Sequence, residues 1–442
     1  MGSLREAWQK LPDAASEALV RSLWINPGLF AELGFEATEI IPEFSTARGP
    51  VDYALRKNSN PQDVFVTTKN SPSIFIEIKG RHIDLSAGSR SYRSTVKQLK
   101  GYLLTKEART AEWGLISNSL HIQLFRKHGK VIYPATSCME VNADNTEKIA
   151  EELRQKLQVP QRALKVAIYN NKGGIGKTTT VINLAAILTL AGKKVLVVDF
   201  DPNQQDLTHG LGMSLEPDTF YQCLDSKDKN LEAAIRQHRL SLKDGRVLEF
   251  GVIPVDEKLA YAPNDPELQT VLQPSSLAEG LATLQSQYDY ILVDAPPNWL
   301  NFSQNAVYAS DVVLIPTKHN NIFSLKNAAI AIKDYILQIQ ETRGDGGPIA
   351  LPIFFNGEKI TPAQKQAAQK ALLDLCKQHK KQIDLLPYFF PHYTQANKNL
   401  EVFEVPAYAN IANAAFATIP AVYRDKTARD YYKNLAKEYF LQ

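Results

Sequence analysis

The chain has 442 residues, 44% of them hydrophobic and 22% charged, with 50 Lys and Arg against 47 Asp and Glu. That length exceeds one typical domain and carries ample apolar material for a core, whereas a net charge of +3 is too small to mark a nucleic-acid binder by composition, so local basic clusters would have to supply such contacts. Three cysteines (Cys138, Cys223, Cys376) lie far apart without metal spacing, no apolar run reaches transmembrane length, and the N-terminus lacks a basic segment followed by an apolar one; buried thiols, no signal peptide and a cytoplasmic, non-membrane protein are expected.

Residues 1–45 predict helix, with apolar positions at helical spacing over 16–25 and an interruption at Pro27-Gly28. Residues 51–55, after Pro50, predict a short strand, and 73–79 a buried strand interrupted near its end by Glu77 and Lys79. Charges in an apolar strand cost energy unless something compensates them, such as a metal ion. The two-residue period places Glu77 and Lys79 on one face. Together with Asp52, two converging carboxylates can hold Mg²⁺ through oxygen, and the metal with Lys79 can activate water against a phosphodiester. Glu-x-Lys taken alone fits an ion pair on an edge strand equally well. Gln98 and Tyr102 lie one helical turn apart and share a face. Residues 113–119 and 122–126 predict a hairpin. Residues 147–158 form a charged helix with Ile149, Leu153 and Leu157 spaced by four, suited to capping the first domain or to a small helical interface. Residues 159–162 follow as linker, so the expected organisation is a first domain over 1–145, a helical linker over 146–163 and a second domain over 164–442.

The second domain opens on an apolar run, 166–169, followed by Lys172-Gly173-Gly174-Ile175-Gly176-Lys177-Thr178-Thr179 and then a helical stretch closed by Gly192. Glycines between a strand and a helix let backbone N–H groups turn toward phosphate oxygens, and the helix N-terminus adds its positive dipole end. In such a loop Lys177 reaches the β and γ phosphates and the Thr178 hydroxyl completes a Mg²⁺ shell. A second strand ends at Asp199, where an acidic residue lies beside the phosphates if the sheet is parallel. Further strands are expected at 247–254, 290–294, 311–317 and 349–356. Their near-continuous apolar character, alternating with helices, predicts an α/β fold with a mostly parallel sheet covered by helices on both faces.

The form Lys-Gly-Gly-x-Gly-Lys-Thr, with Lys172 as an additional lysine, resembles the ParA/MinD family of ATPases. The resemblance continues through Val198-Asp199-Phe200-Asp201-Pro202 and through Tyr290-Ile291-Leu292-Val293-Asp294-Ala295-Pro296-Pro297, and covers roughly residues 165–440. It implies ATP and Mg²⁺ as cofactors, with Gly173, Gly174, Gly176, Lys177, Thr178 and Thr179 binding nucleotide. It also implies Asp199 near the Mg²⁺ shell, Asp294 holding the magnesium's waters, Asp201 positioning the attacking water and Asn356 contacting adenine. Lys172 would cross a homodimer interface to the partner's ATP. Asn203 departs from the usual Gln after Pro202. Asp52 with Glu77-x-Lys79, Gln98-x-x-x-Tyr102 and Gly114-x-x-x-Asn118 resemble in turn the PD-(D/E)xK nuclease superfamily, in particular the N-terminal nuclease domain of type I restriction endonuclease subunits. That resemblance implies a restriction-endonuclease-like α/β domain with Asp52, Glu77 and Glu17 as metal ligands, Lys79 as catalytic lysine and Gln98 as its helper; Val51 departs from the usual Pro before Asp.

Lys377, Lys380, Lys381, Lys398, Arg424, Lys426, Arg429 and Lys433 are available to a sequence-independent DNA surface, or are solvated helix faces. The final helix, 429–442, fits packing against the core better than a membrane-surface role. Two functional readings result. In the first, ATP-driven dimerisation controls Mg²⁺-dependent DNA cleavage in defence against foreign DNA. In the second, the chain is a cytoplasmic or nucleoid-associated partition or positioning ATPase, with a partner protein stimulating hydrolysis and the first domain only binding.

Overall fold

The computed structural model describes residues 3–160, 162–241, 245, 247–261 and 271–442; Gln161 of the expected linker and part of the 207–285 stretch lie outside them. The chain divides into two compact units, Met1–Pro160 with Gly344–Gly347 and Gln442, and Gln161–Arg343 with Pro348–Leu441.

The first unit begins with short helices, Leu4–Gln9 and Glu17–Val20, the latter running into a π-wound segment, Arg21–Leu29, that contains Pro27. Helix does not continue to residue 45 as expected. Ile40–Thr46 is a strand, β1, antiparallel to β2 (Gly49–Leu55), because the Ile40-Ile41 pair and Phe44 find their burial across the ladder, Phe44 against Phe75. β3 (Ile74–Ile78) pairs antiparallel with β2 and parallel with β4 (Trp113–Ser117), and a parallel pair requires the crossover that helix Arg90–Leu103 provides. β4 forms the expected hairpin with β5 (His121–His128); β6 (Val131–Pro134) and β7 (Met139–Glu140) also pair with β5. The result is a mixed seven-stranded sheet buried on both faces. Trp24, Leu29, Phe30, Ile76 and Leu153 belong to one core cluster, and Phe75, Leu99, Leu103, Ile116 and Phe125 to the other. Helix Thr146–Gln158 is therefore no linker. Its Ile149, Ala150 and Leu153 lie in the first unit's core, since spacing by three and four turns them to one face.

In the second unit, β8 (Leu164–Ile168) belongs to a seven-stranded sheet with β9 (Val195–Asp199), β10 (Arg236–Ser241), β11 (Val247–Ile253), β12 (Tyr290–Asp294), which is central, β13 (Val312–Leu314) and a later strand, Ile349–Ala350. The order is β10-β11-β9-β12-β8-β13 followed by Ile349–Ala350, parallel throughout except for the β10/β11 edge. The expected strands at 311–317 and 349–356 each break in two. β14 (Pro316–Thr317), β16 (Phe354–Asn356) and β17 (Phe403–Val405) form a separate three-stranded parallel sheet, leaving Ile349–Ala350 as β15 of the larger one. Pro316 and Pro352 stand at these transitions, where a missing N–H interrupts a ladder.

Helix Lys177–Leu190 is buried almost all round, as its apolar composition demands. It packs on the sheet and against the C-terminal helix Lys426–Tyr439, and Val422 N donates to Asn183 Oδ1 at 3.1 Å. Tyr432, Leu435, Ala436 and Tyr439 of the C-terminal helix are buried, and Tyr439 Oη donates to the Ile353 carbonyl at 3.0 Å; the helix packs on its own unit. No helix among the described residues is long and apolar enough to cross a membrane.

Candidate functional site: a phosphate loop and a separate acidic cluster

The β8 strand ends at Ile168, and Asn170 anchors the chain beyond it through its Nδ2, which donates to the carbonyls of Pro316 (2.9 Å) and Ser324 (3.2 Å). The loop that follows leaves open space around the Cβ positions of Gly173 and Gly174, and Gly174 and Gly176 adopt φ of +72° and +82°, a region that favours glycine. A Cβ on Gly176 would collide with the Asn356 amide. Asn356 Nδ2 donates to the carbonyls of Ile175 (2.9 Å) and Gly176 (3.2 Å) and to Thr180 Oγ1 (3.2 Å), so its amide nitrogen holds the loop.

Lys177 opens the helix with its ammonium folded back toward the Lys172 carbonyl at 3.3 Å. Burial pushes its pKa down, opposed by Asp294, Asp201 and Asp206. Asp294 and Asp199 sit side by side across the β12/β9 register. Burial, then the Asp199 charge, drives the Asp294 carboxyl well above its ordinary range, and its Oδ1 is buried without a hydrogen-bond partner. Asp199 is pushed up to about 6 by burial, and both of its oxygens accept hydrogen bonds. Its Oδ2 accepts from Thr208 N (2.9 Å) and Thr208 Oγ1 (2.6 Å), and its Oδ1 accepts from Asp201 N (3.3 Å). It is a positioning group that ties β9 to helix Asp206–Gly210. Thr208 was missed because nothing in a lone threonine signals such a partner. Asp201, raised by burial, accepts from the N–H groups of Asn203 and Gln204 at 3.2 Å each. Thr179 offers its carbonyl to Asn183 Nδ2 (2.9 Å). Lys172 is half-buried, and its ammonium has no hydrogen-bond or ion-pair partner among the described residues.

The first unit also brings charged groups together. Asp52 on β2 and Glu77 on β3 converge with Lys79, whose Nζ donates to Glu77 Oε1 at 2.5 Å. Asp52 Oδ2 accepts from Ile78 N at 2.6 Å. Burial, then the nearby Asp52 charge, pushes Glu77 up to about 7, and burial raises Asp52 as well. Two cations lie within the cluster, and Glu77 Oε2 stays buried without a hydrogen-bond partner. Arg21 Nη1 lies 3.6 Å from both Glu17 and Asp52, its Nη2 donates to Glu43 at 2.6 Å, and its Nε donates to Tyr53 Oη at 3.2 Å. The spacing of Glu17 and Arg21 by four on one helix face was the signal available for this missed residue. Gln98 stands apart: its Nε2 donates to Tyr102 Oη at 3.0 Å, and it makes no hydrogen bond to Asp52, Glu77 or Lys79.

Residues 163–344 match the family model described as an AAA domain. The sporulation initiation inhibitor protein Soj of Bacillus subtilis is 39% identical over 157 residues, 35% of this chain and 57% of that protein. The chromosome-partitioning ATPase Soj of Thermus thermophilus is 36% identical over 159 residues, 35% of this chain and 54% of that one. An uncharacterized protein of Methanocaldococcus jannaschii is 30% identical over 200 residues, 43% of this chain and 72% of its own length. The chain belongs to the ParA/MinD family of P-loop ATPases. It spans little more than half the length of the two Soj relatives, and its first unit lies outside the family match.

ATP and Mg²⁺ are the ligands consistent with the ParA/MinD family, and the residues present fit them. The glycine cradle is open and the orphaned Asp294 oxygen faces no protein donor. Mg²⁺ keeps several waters and takes phosphate oxygens, so one or two protein groups suffice. In the first unit Arg21 and Lys79 lie beside the carboxylates, and Glu77 Oε2 is buried without a hydrogen-bond partner.

Proposed function

We propose that this ParA/MinD-family chain is a nucleotide-controlled switch of the partition or positioning kind. It binds ATP with Mg²⁺, closes on a second copy, engages DNA without sequence preference, and is reset by hydrolysis that a partner protein stimulates. The observation that carries this reading is a complete phosphate loop beside a lysine, Lys172, whose ammonium has no hydrogen-bond or ion-pair partner among the described residues. The printed name of the Thermus thermophilus relative, a chromosome-partitioning ATPase, points the same way.

The roles follow from the positions. Gly173, Gly174 and Gly176 allow N–H groups to turn to the phosphates, and Lys177 leaves the Lys172 carbonyl to pair with them. Thr178 and Asp294 hold the metal's shell, and Mg²⁺ when bound neutralises charge on the phosphate oxygens. Asp201 orients water, held by the loop that Asp199 and Thr208 fix. Steady-state ATP turnover tests this division: Asp201→Ala should bind ATP yet lose hydrolysis, and turnover at the wild-type rate would sink the assignment.

A second reading keeps hydrolytic chemistry for the first unit, because Asp52, Glu77 and Lys79 do converge on one face. Plasmid cleavage with Mg²⁺ or Mn²⁺ that disappears in Lys79→Ala would establish it. Intact plasmid under every nucleotide state, with ATP hydrolysis preserved, removes it.

A further inference from the structure

Between Asp84 and Glu107 the chain carries Arg90, Arg93, Lys97, Lys100 and Lys106 and no acidic residue. Arg90, Ser94, Lys97 and Gly101 follow one another at spacings of four, three and four, so helix Arg90–Leu103 turns them to one side. Its other side, with Thr95, Leu99, Tyr102 and Leu103, is buried. The cationic side faces a cleft of about 320 Å³ lined by Arg48, Ser94, Lys97, Gln98, Gly101 and Tyr102.

Arg48 reaches this cleft from the turn between β1 and β2. It lies over the helix because Gly101 has no side chain: a Cβ there would come 3.1 Å from Arg48 Nη1. Neither the Arg48 guanidinium nor the Lys97 ammonium has a hydrogen-bond or ion-pair partner among the described residues. The carboxylate nearest to Lys97 along the chain, Glu107, accepts from the Ala47 backbone N–H at 3.3 Å. Gln98 is oriented by its bond to Tyr102 Oη, and that bond uses its amide N–H while leaving its oxygen free.

We infer that this cleft is a nucleic-acid phosphate-backbone site of the first unit, with Arg48 and Lys97 gripping successive phosphates. Unpaired cations converging on a polar cleft, with no acid on the flanking helix, match the electrostatic footprint of backbone binding. Tyr102 is buried, so no ring is offered for base stacking and the contact is sequence-independent. The site stands on first-unit residues alone and requires no nucleotide, which separates it from the ATP-dependent DNA engagement proposed for the whole chain.

The test is fluorescence anisotropy of a labelled 30-base-pair duplex with the full chain, without ATP, across a salt series. Arg48→Gln/Lys97→Gln is compared with wild type and with Lys377→Gln/Lys380→Gln/Lys381→Gln, and circular dichroism with thermal unfolding confirms that both units of each variant are folded. The expected result is at least tenfold weaker duplex binding for the Arg48/Lys97 variant, with a log–log salt slope shallower by about 1 to 2, as the loss of one or two phosphate contacts dictates. Unchanged affinity and slope, or a loss confined to the Lys377 triple variant, would overturn the inference. So would displacement of the duplex by millimolar inorganic phosphate at constant ionic strength, which would mark a simple anion pocket. Failure here with ATP-dependent duplex binding intact leaves the switch untouched; loss of that binding alone leaves the cleft untouched.

Discussion

Two charged clusters are built from similar parts and differ in how many cations answer their carboxylates. In the second unit, Asp294, Asp201 and Asp206 act on one ammonium, Lys177, and an Asp294 oxygen is left buried without a donor. In the first unit, Asp52, Glu77, Glu17 and Glu43 face two cations, Arg21 and Lys79, and a Glu77 oxygen is likewise buried without a donor. The first-unit cluster is the more nearly compensated of the pair, and neither is complete. Convergent carboxylates and a lysine are therefore weak evidence of a metal site until the counter-ions already present have been counted.

The largest effect that sharpens this contrast is Lys177→Ala, which should weaken ATP binding by about two orders of magnitude, since charge-assisted bonds to phosphate are lost. Titration with a fluorescent ATP analogue checks it. On the other side, Arg21→Gln should deepen the cluster's shortage of cations, so that Mn²⁺ binding to the first unit, measured by calorimetry, rises by about tenfold or more once the competing cation is gone. No gain in Mn²⁺ affinity would break the contrast. Asn356→Ala should slacken the phosphate loop and cost about 1 kcal/mol in ATP affinity, the scale of lost buried hydrogen bonds, without altering nucleotide choice.

A further effect concerns pH. Glu77 is raised to about 7 in the folded chain from an ordinary value of 4.5, so the folded state holds the proton more tightly than the unfolded state. Stability from this group is present below pH 4.5 and lost as pH rises toward 7. Glu77→Gln should therefore stabilise the first unit by about 1–3 kcal/mol at pH 8, with a gain that shrinks toward pH 5. Thermal unfolding at the two pH values reads this directly. An equal effect at both would show that Glu77 is charged throughout.

The phosphate loop was legible because its chemistry is local: eight consecutive residues specify the turn, the cradle and the lysine. The β-strand ends carrying Asp199 and Asp294 were legible for the same reason. What escaped is what depends on distant partners. Asn356 points its amide at a loop some 180 residues earlier, Thr208 captures Asp199, and Arg21 takes over Asp52 across the sheet. No spacing rule contains those contacts. The strand β1 was missed because the apolar spacing of the preceding helices runs straight into Ile40-Ile41, and the breaks near Pro316 and Pro352 were hidden in apolar runs that read as continuous. Strand period puts Glu77 and Lys79 on one face, where they form an ion pair, yet the period carries no information on which cation answers Asp52.

The most direct test of the switch is the molar mass of the chain in solution, by light scattering with and without ATP, for Asp201→Ala and for Asp201→Ala/Lys172→Ala. Asp201→Ala should double its mass on adding ATP, whereas the Lys172 variant should bind ATP and remain a monomer. A mass that is indifferent to ATP, or a Lys172 variant that pairs as readily as its parent, would contradict the account.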